Sequence, residues 1–465
     1  MISPLPRRRL RPAPVLAAAL ALLCAAAPAV PAAADEALLP VPVPQVEGPL
    51  PGTPPGDPAS DDIADTYPFF ATTEDLDAFD YVEEEFVVSG TARVYADGAV
   101  ASEHPYRTRI VVRRPERERD SAGTALVEWQ NVTAGNDIDA LWAPSAEHIM
   151  RSGYTWVGVS AQNVGVAHLA EWSPARYGDL DVTDGGTVTG DALSYDVFSQ
   201  AGRAVRTGAV TGGIDIDQVL AIGASQSAGR MTAYYNQVLP LVEPVFEGYG
   251  FAVGPAPRGD RPEPVFQVLS ETDAALTAAP PQDTPRFRLW EVAGTAHSGW
   301  AGHRARQGVE ERDLGGQADY RCAEPPFSRA PLHHALNASY DHLAAWARTG
   351  TPPPAADRIT RDAQGRIARG EDGHALGGIR LSQVEVPTAL NTGSNRPAGP
   401  GNEFCVLFGS HVPYGEDRLA ELYPTRAGYL AAVARVELRN VRDGYVTRAD
   451  SARNRREAAL SGVGG

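Results

Sequence analysis

The sequence has no lysine: all 41 of its basic residues are arginine. That excludes Schiff-base catalysis and a phosphate-binding loop, both of which need a lysine amine. Genomic base composition accounts for the bias. Positive charge is short altogether, with 58 acidic residues and a net charge of −17. Arg7, Arg8, Arg9 and Arg11 all lie in the N-terminal stretch, and without those four charges the balance falls to −21. A chain this acidic is a poor ligand for nucleic-acid phosphates and for an anionic membrane surface. Cysteine is also scarce, with three residues, and beyond the N-terminus no apolar run is long enough to span a bilayer.

What is present describes an ordinary globular chain. Hydrophobic residues make up 43% and charged residues 21% of 465 positions, ample for a core. At about 150 residues per domain this is one large domain or two to three small ones. The N-terminus reads as an export signal. Arg7-Arg8-Arg9-Leu10-Arg11 is a charged region, 15–27 is a short apolar region, and Ala32-Ala33-Ala34 offers a cleavage site. The mature chain is expected to begin near Asp35 and to be secreted; Sec and Tat routes both stay open. Cys24 is a weak lipidation site because Leu23 precedes it. Cleavage leaves Cys322 and Cys405, for which a disulfide is the default in an oxidising compartment. Two cysteines so far apart do not suggest zinc, and no metal or cofactor is expected.

Residues 35–62 are Pro-rich and acidic and read as an extended, poorly ordered lead-in. Strand-like runs follow at 86–95, 106–113, 124–129, 154–160, 218–223, 248–254, 265–270 and 287–293. The first two alternate, as one-sided antiparallel strands do; the later ones are mostly continuous, as doubly covered parallel strands are. Helical patterns fall between them at 145–152, 195–208 and 227–238. This predicts an α/β fold, a mostly parallel sheet of about eight strands with helices on both faces. The catalytic core is expected over 63–310. A C-terminal region, 311–465, has helical stretches at 331–349 and 416–442 around an irregular, Gly-rich segment, and is expected to pack on the sheet.

The sharpest local feature is Val219-Leu220-Ala221-Ile222-Gly223-Ala224-Ser225-Gln226-Ser227-Ala228-Gly229-Arg230. An apolar strand runs through Gly-x-Ser-x-Ser into a helix, the setting a nucleophile elbow needs. The turn is so tight that the positions two before and two after the serine must be small, and Gly223 and Ser227 are. A second frame makes Ser227 the nucleophile; Ser225 is preferred because the strand reaches it in register. Gln226 then supplies an oxyanion N–H at the helix start, where the dipole also favours anions. The bland alternative is a Ser/Gly turn capping an ordinary helix.

In such a fold the acid and the histidine follow in that order, in loops after later strands. Residues 265–270 are followed by Glu271-Thr272-Asp273, and 287–293 by Gly294-Thr295-Ala296-His297. His297 is the expected base. Asp273 is the preferred acid and Glu271 the alternative; the other one caps a turn or pairs with an arginine. The loop after 124–129, Gln130-Asn131-Val132-Thr133, is expected to give the second oxyanion N–H, centred on Asn131, although Asn and Gly there are also plain turn chemistry. Trp300, three residues past His297, is a candidate wall of the acyl or leaving-group pocket. His333-His334 resembles a metal pair only by adjacency.

These segments together resemble a bacterial α/β-hydrolase-domain family with a Trp-Gln/Leu-Asn-Val-Thr loop, a Ser-Gln-Ser elbow and an Ala-Gly-Thr-Ala-His segment, here Trp129 to Thr133, Ser225 to Ser227 and Ala293 to His297. Gly377-Gly378-Ile379-Arg380 and Cys405-Val406-Leu407-Phe408-Gly409 extend the likeness to about 80–450. The resemblance implies the α/β-hydrolase fold with Ser225 and His297 in a triad. The expectation is a secreted serine hydrolase acting on a small or polymeric carboxylic ester, with neither nucleic acid nor a membrane as partner. An amide or lactone substrate would use the same apparatus. A non-catalytic binding module on a hydrolase fold is the alternative from another class.

Overall fold

The computed structural model describes residues 37–277 and 280–465. The expected export signal and its cleavage site lie outside the described residues. A nine-stranded sheet runs in the order β1-β2-β3-β5-β4-β6-β7-β8-β9. Its strands are β1 (Gln45–Glu47), β2 (Tyr81–Ala96), β3 (Ala99–Pro115), β4 (Thr124–Trp129), β5 (Thr155–Val159), β6 (Gln218–Ala224), β7 (Gly248–Ala252), β8 (Val265–Ser270) and β9 (Phe287–Val292). The β1–β2, β2–β3 and β3–β5 pairs are antiparallel, and every pair from β5 to β9 is parallel.

The two alternating runs become the long β2–β3 hairpin, and the continuous runs become the parallel strands. Their continuity has a visible cause. On β6, Val219 and Ala221 face one core with the helices Ser194–Arg206 and Gln226–Ala233, while Leu220, Ile222 and Ala224 face another with the helices Trp142–Arg151 and Leu332–Thr349. A strand buried on both faces has no polar side to show in its sequence.

Two expectations need adjustment. The Pro-rich lead-in is not merely a loose arm: residues 45–47 form edge strand β1, and Leu39 bridges to Val242. The helix predicted over 227–238 is α-helical to Ala233 and then widens into a π-helical turn, Tyr234–Val238. The division at 310 falls inside the helix Trp300–Asp313, and the region beyond it belongs to the same unit, Leu38–Gly465. The helix Leu332–Thr349 covers β7 and β8 with Leu343 and Trp346, and Ile379 extends past β9 by a parallel bridge to Val292. The Gly-rich segment carries a small antiparallel pair, Ala389–Thr392 with Ser410–Pro413. Among the described residues no helix is long and apolar enough to cross a membrane.

The strand order fixes where chemistry can occur. β4 lies between β5 and β6, so the chain leaves β4 toward one side of the sheet and β6 toward the other. Loops diverging at such a switch point open a crevice at the carboxyl ends of the strands.

Candidate active site

At the carboxyl end of β6 the backbone turns through Ser225 with φ 55° and ψ −116°. A side-chain-bearing residue is costly there, by about 1–3 kcal/mol, and persists only where the surroundings enforce it. They do. Ser225 N–H donates to Ala252 O at 2.9 Å, and Gly229 N–H donates to Ser225 O at 3.1 Å. Ser227 Oγ accepts from Ala224 N–H at 3.0 Å and donates to Ala224 O at 2.9 Å. Asn131 Nδ2 donates to the same carbonyl at 2.9 Å. Gly223 must be bare because a Cβ would lie 2.6 Å from Met231 Sδ. Of the two serines, Ser227 is fully buried and ties the turn, while Ser225 faces a cavity.

His297 meets Ser225 from the loop after β9, with Nε2 2.9 Å from Ser225 Oγ. Its other nitrogen, Nδ1, is 2.8 Å from Asp273 Oδ1. A carboxylate can only accept, so Nδ1 carries the proton and Nε2 is free to accept from the serine hydroxyl. Asp273 sits in the short helix Glu271–Ala275. Ser270 caps that helix by accepting from Asp273 N–H, and its hydroxyl donates to Asp273 Oδ2. The His297 backbone N–H donates to Thr272 Oγ1 at 3.2 Å, and Thr272 in turn donates to Gly393 O at 2.6 Å. The histidine loop and the acid helix are therefore stitched together.

Glu271 does not reach His297 by any hydrogen bond. It is buried, accepts from Gly294 N–H at 2.7 Å and Gly393 N–H at 3.1 Å, and pairs with Arg369 at 2.7 Å. Two residues apart on a helix, Glu271 and Asp273 point in different directions.

Gln226 is the first residue of the helix Gln226–Ala233, so its backbone N–H has no intrahelical acceptor. Its side chain is turned away into a reciprocal amide pair with Gln162, which also accepts from Arg230. Asn131 departs from expectation. Its backbone N–H donates to Ile138 O at 3.2 Å, which spends the group that was to serve the oxyanion. Its side chain is instead a strut under the elbow, and its Oδ1 accepts from Thr133 N–H at 2.8 Å. On the same loop Val132 N–H makes no hydrogen bond within the described residues. Ser270, Thr272 and Gln162 escape the sequence reading. The Ser-x-x-Asp spacing of Ser270 and Asp273 is a helix-start signal that would have found the first.

Ser225 and His297 open on a cavity of about 870 Å³. One wall is aromatic: Trp300, Tyr320, Phe327, Phe404 and Phe408 line it. Phe327 stacks on His303 with ring centroids 4.0 Å apart and packs on Phe408 at 4.5 Å. A disulfide joins Cys322 to Cys405 across 83 residues and pins the two segments that carry this wall. Beneath β4's end, Glu128 is fully buried and accepts from Leu141 N–H, Trp142 N–H and Trp156 Nε1. Burial pushes its carboxyl up to about 8 despite those three donors. Among the described residues no group of three or more His, Cys, Asp or Glu side chains is arranged to hold a metal ion. His333 and His334 are held neutral by burial, both pushed down to about 3.

A family model described as an alpha/beta hydrolase domain matches residues 46–456. The chain belongs to this family. No curated protein matches it. Among solved structures, an α/β serine hydrolase without a lid from Xanthomonas campestris is 16% identical, with 50% of this chain and 96% of that one covered and a TM-score of 0.27. The rice cell wall degrading esterase LipA from Xanthomonas oryzae is 17% identical, covering 38% of this chain and 43% of that one, with a TM-score of 0.23. Superposition this loose leaves the fold assignment on the family match and on the sheet order.

Proposed function

We propose that the chain is a secreted serine hydrolase that cleaves a carboxylic ester through an acyl-enzyme. The observation that carries this reading is the continuous hydrogen-bonded line from Ser225 Oγ through His297 to Asp273, on a strained elbow facing a cavity. Ser225 attacks the ester carbonyl while His297 Nε2 takes its proton. Asp273 holds the imidazole in the required tautomer and stabilises the imidazolium that forms. Gln226 N–H, at the positive end of its helix, and Val132 N–H from the β4 loop receive the developing oxyanion. His297 then returns the proton to the leaving alcohol, and water repeats the sequence to release the acid. Secretion rests on the N-terminal charged and apolar regions of the sequence.

The test is hydrolysis of short 4-nitrophenyl esters by purified protein. Ser225→Ala is expected to abolish turnover above background while leaving the unfolding midpoint unchanged. Activity equal to the unsubstituted chain would rule out Ser225 as nucleophile.

A further inference from the structure

Trp300 begins the helix after His297, and its ring carries two cations. The guanidinium carbon of Arg329 lies 4.9 Å from the ring centroid and that of Arg304 lies 5.7 Å from it. Both arginines line the same cavity as Ser225. Among the described residues neither forms an ion pair. The Arg329 guanidinium has no hydrogen-bond acceptor, and Arg304 donates only to the neutral Gln307. Glu310, the lining carboxylate on the same helix, is taken by Arg306 at 3.1 Å and by Gln317. In a chain with a net charge of −17, two uncompensated guanidiniums in the cavity run against the overall field.

A guanidinium laid over an indole keeps its plane fixed while its N–H edge stays free. That edge matches a carboxylate with two parallel hydrogen bonds. The floor next to it is the aromatic wall of Phe327, Phe408 and Tyr320, packed ring on ring at 4.5 and 4.8 Å into an apolar face on which a planar ring can lie. We propose that the Trp300 end of the cavity is a subsite for an aryl carboxylate, so that the ester substrate carries a free carboxylate on an aromatic group, gripped by Arg329 and Arg304. This rests on the reading of Ser225 and His297 as the hydrolytic pair, and it specifies which esters that pair is offered.

The experiment separates the two claims by measuring binding without turnover. Ser225→Ala protein is titrated calorimetrically with benzoate and with benzamide, its neutral isostere. Benzoate is expected to bind about tenfold tighter or more, the order of one charge-assisted pair. Arg329→Gln in the same background is expected to remove that preference, and Arg329→Lys to restore part of it, since a point charge cannot form the fork. Arg329 is exposed, so unfolding midpoints should not move. Equal binding of the two ligands, or a preference that survives replacement of both arginines by glutamine, overturns the subsite and leaves the hydrolase reading standing. Persistent esterase activity in Ser225→Ala overturns the hydrolase reading, whatever benzoate does.

Discussion

Replacing Asp273 by Asn keeps the shape of the group 2.8 Å from His297 Nδ1 but removes its charge. The amide has no reason to hold the proton on Nδ1. With the proton on Nε2 instead, the ring cannot accept from Ser225 Oγ, which sits 2.9 Å away. The expected loss is about 10⁴ in kcat, or about 5.5 kcal/mol of transition-state stabilisation, with KM little changed. The cost to folding is small, on the order of 1 kcal/mol, because one hydrogen bond from Ser270 is weakened. Glu271→Gln should behave in the opposite way. It weakens the pairing of the buried Glu271 carboxylate with the exposed Arg369 and disturbs acceptance from Gly294 and Gly393, which is worth about 2 kcal/mol of stability. The folded fraction should keep kcat within about tenfold of the unsubstituted chain. Steady-state kinetics on a short 4-nitrophenyl ester, with urea unfolding of each variant, reads both effects. A fully active Asp273→Asn, or an inactive but fully stable Glu271→Gln, would refute the assignment of roles.

Two further outcomes follow from the same geometry. Removing the disulfide in Cys322→Ala/Cys405→Ala should cost about 4.5 kcal/mol in the chain-entropy model for a loop of 83 residues. It should also raise KM more than it lowers kcat, because the bond pins the aromatic wall and not the triad. Glu128 concerns pH. With its carboxyl raised to about 8 by burial, the native state keeps a proton that the unfolded chain releases near its ordinary value. Its contribution to stability is complete below that ordinary value and is lost as pH climbs toward 8, at about 1.4 kcal/mol per pH unit. Urea unfolding from pH 5 to 9 should show that slope in the unsubstituted chain and a shallower one in Glu128→Gln; identical slopes would mean the three N–H donors keep Glu128 ionised.

The legible parts of this molecule are the ones whose determinants are local. The β6 strand, the small residues around Ser225 and the helix after it are contiguous in sequence, so the elbow can be read there. The strands before Glu271 and before His297 are equally visible, which brings the acid and the base to one sheet edge. The choice between Glu271 and Asp273 was open because both follow the same strand; only the turn of a five-residue helix separates their directions. The loop of Asn131 is harder to read for a different reason. The Asn131 N–H is engaged by Ile138, seven residues on, in a loop closure that no periodicity announces. Edge strand β1 has only three residues, too few to show a pattern, and its Pro-rich surroundings argued for a loose arm. Arg329 joins Arg304 over Trp300 only through tertiary folding of the chain after the helix Trp300–Asp313, so the cation pair has no sequence signature at all.

The central claim is that Ser225 is the nucleophile of a working hydrolytic site. Reaction of the folded, disulfide-bonded protein with a fluorophosphonate, followed by mass spectrometry of the modified peptide, tests it most directly. One label per chain is expected, on Ser225, lost in His297→Ala. A label on Ser227, or none on folded protein, would contradict it.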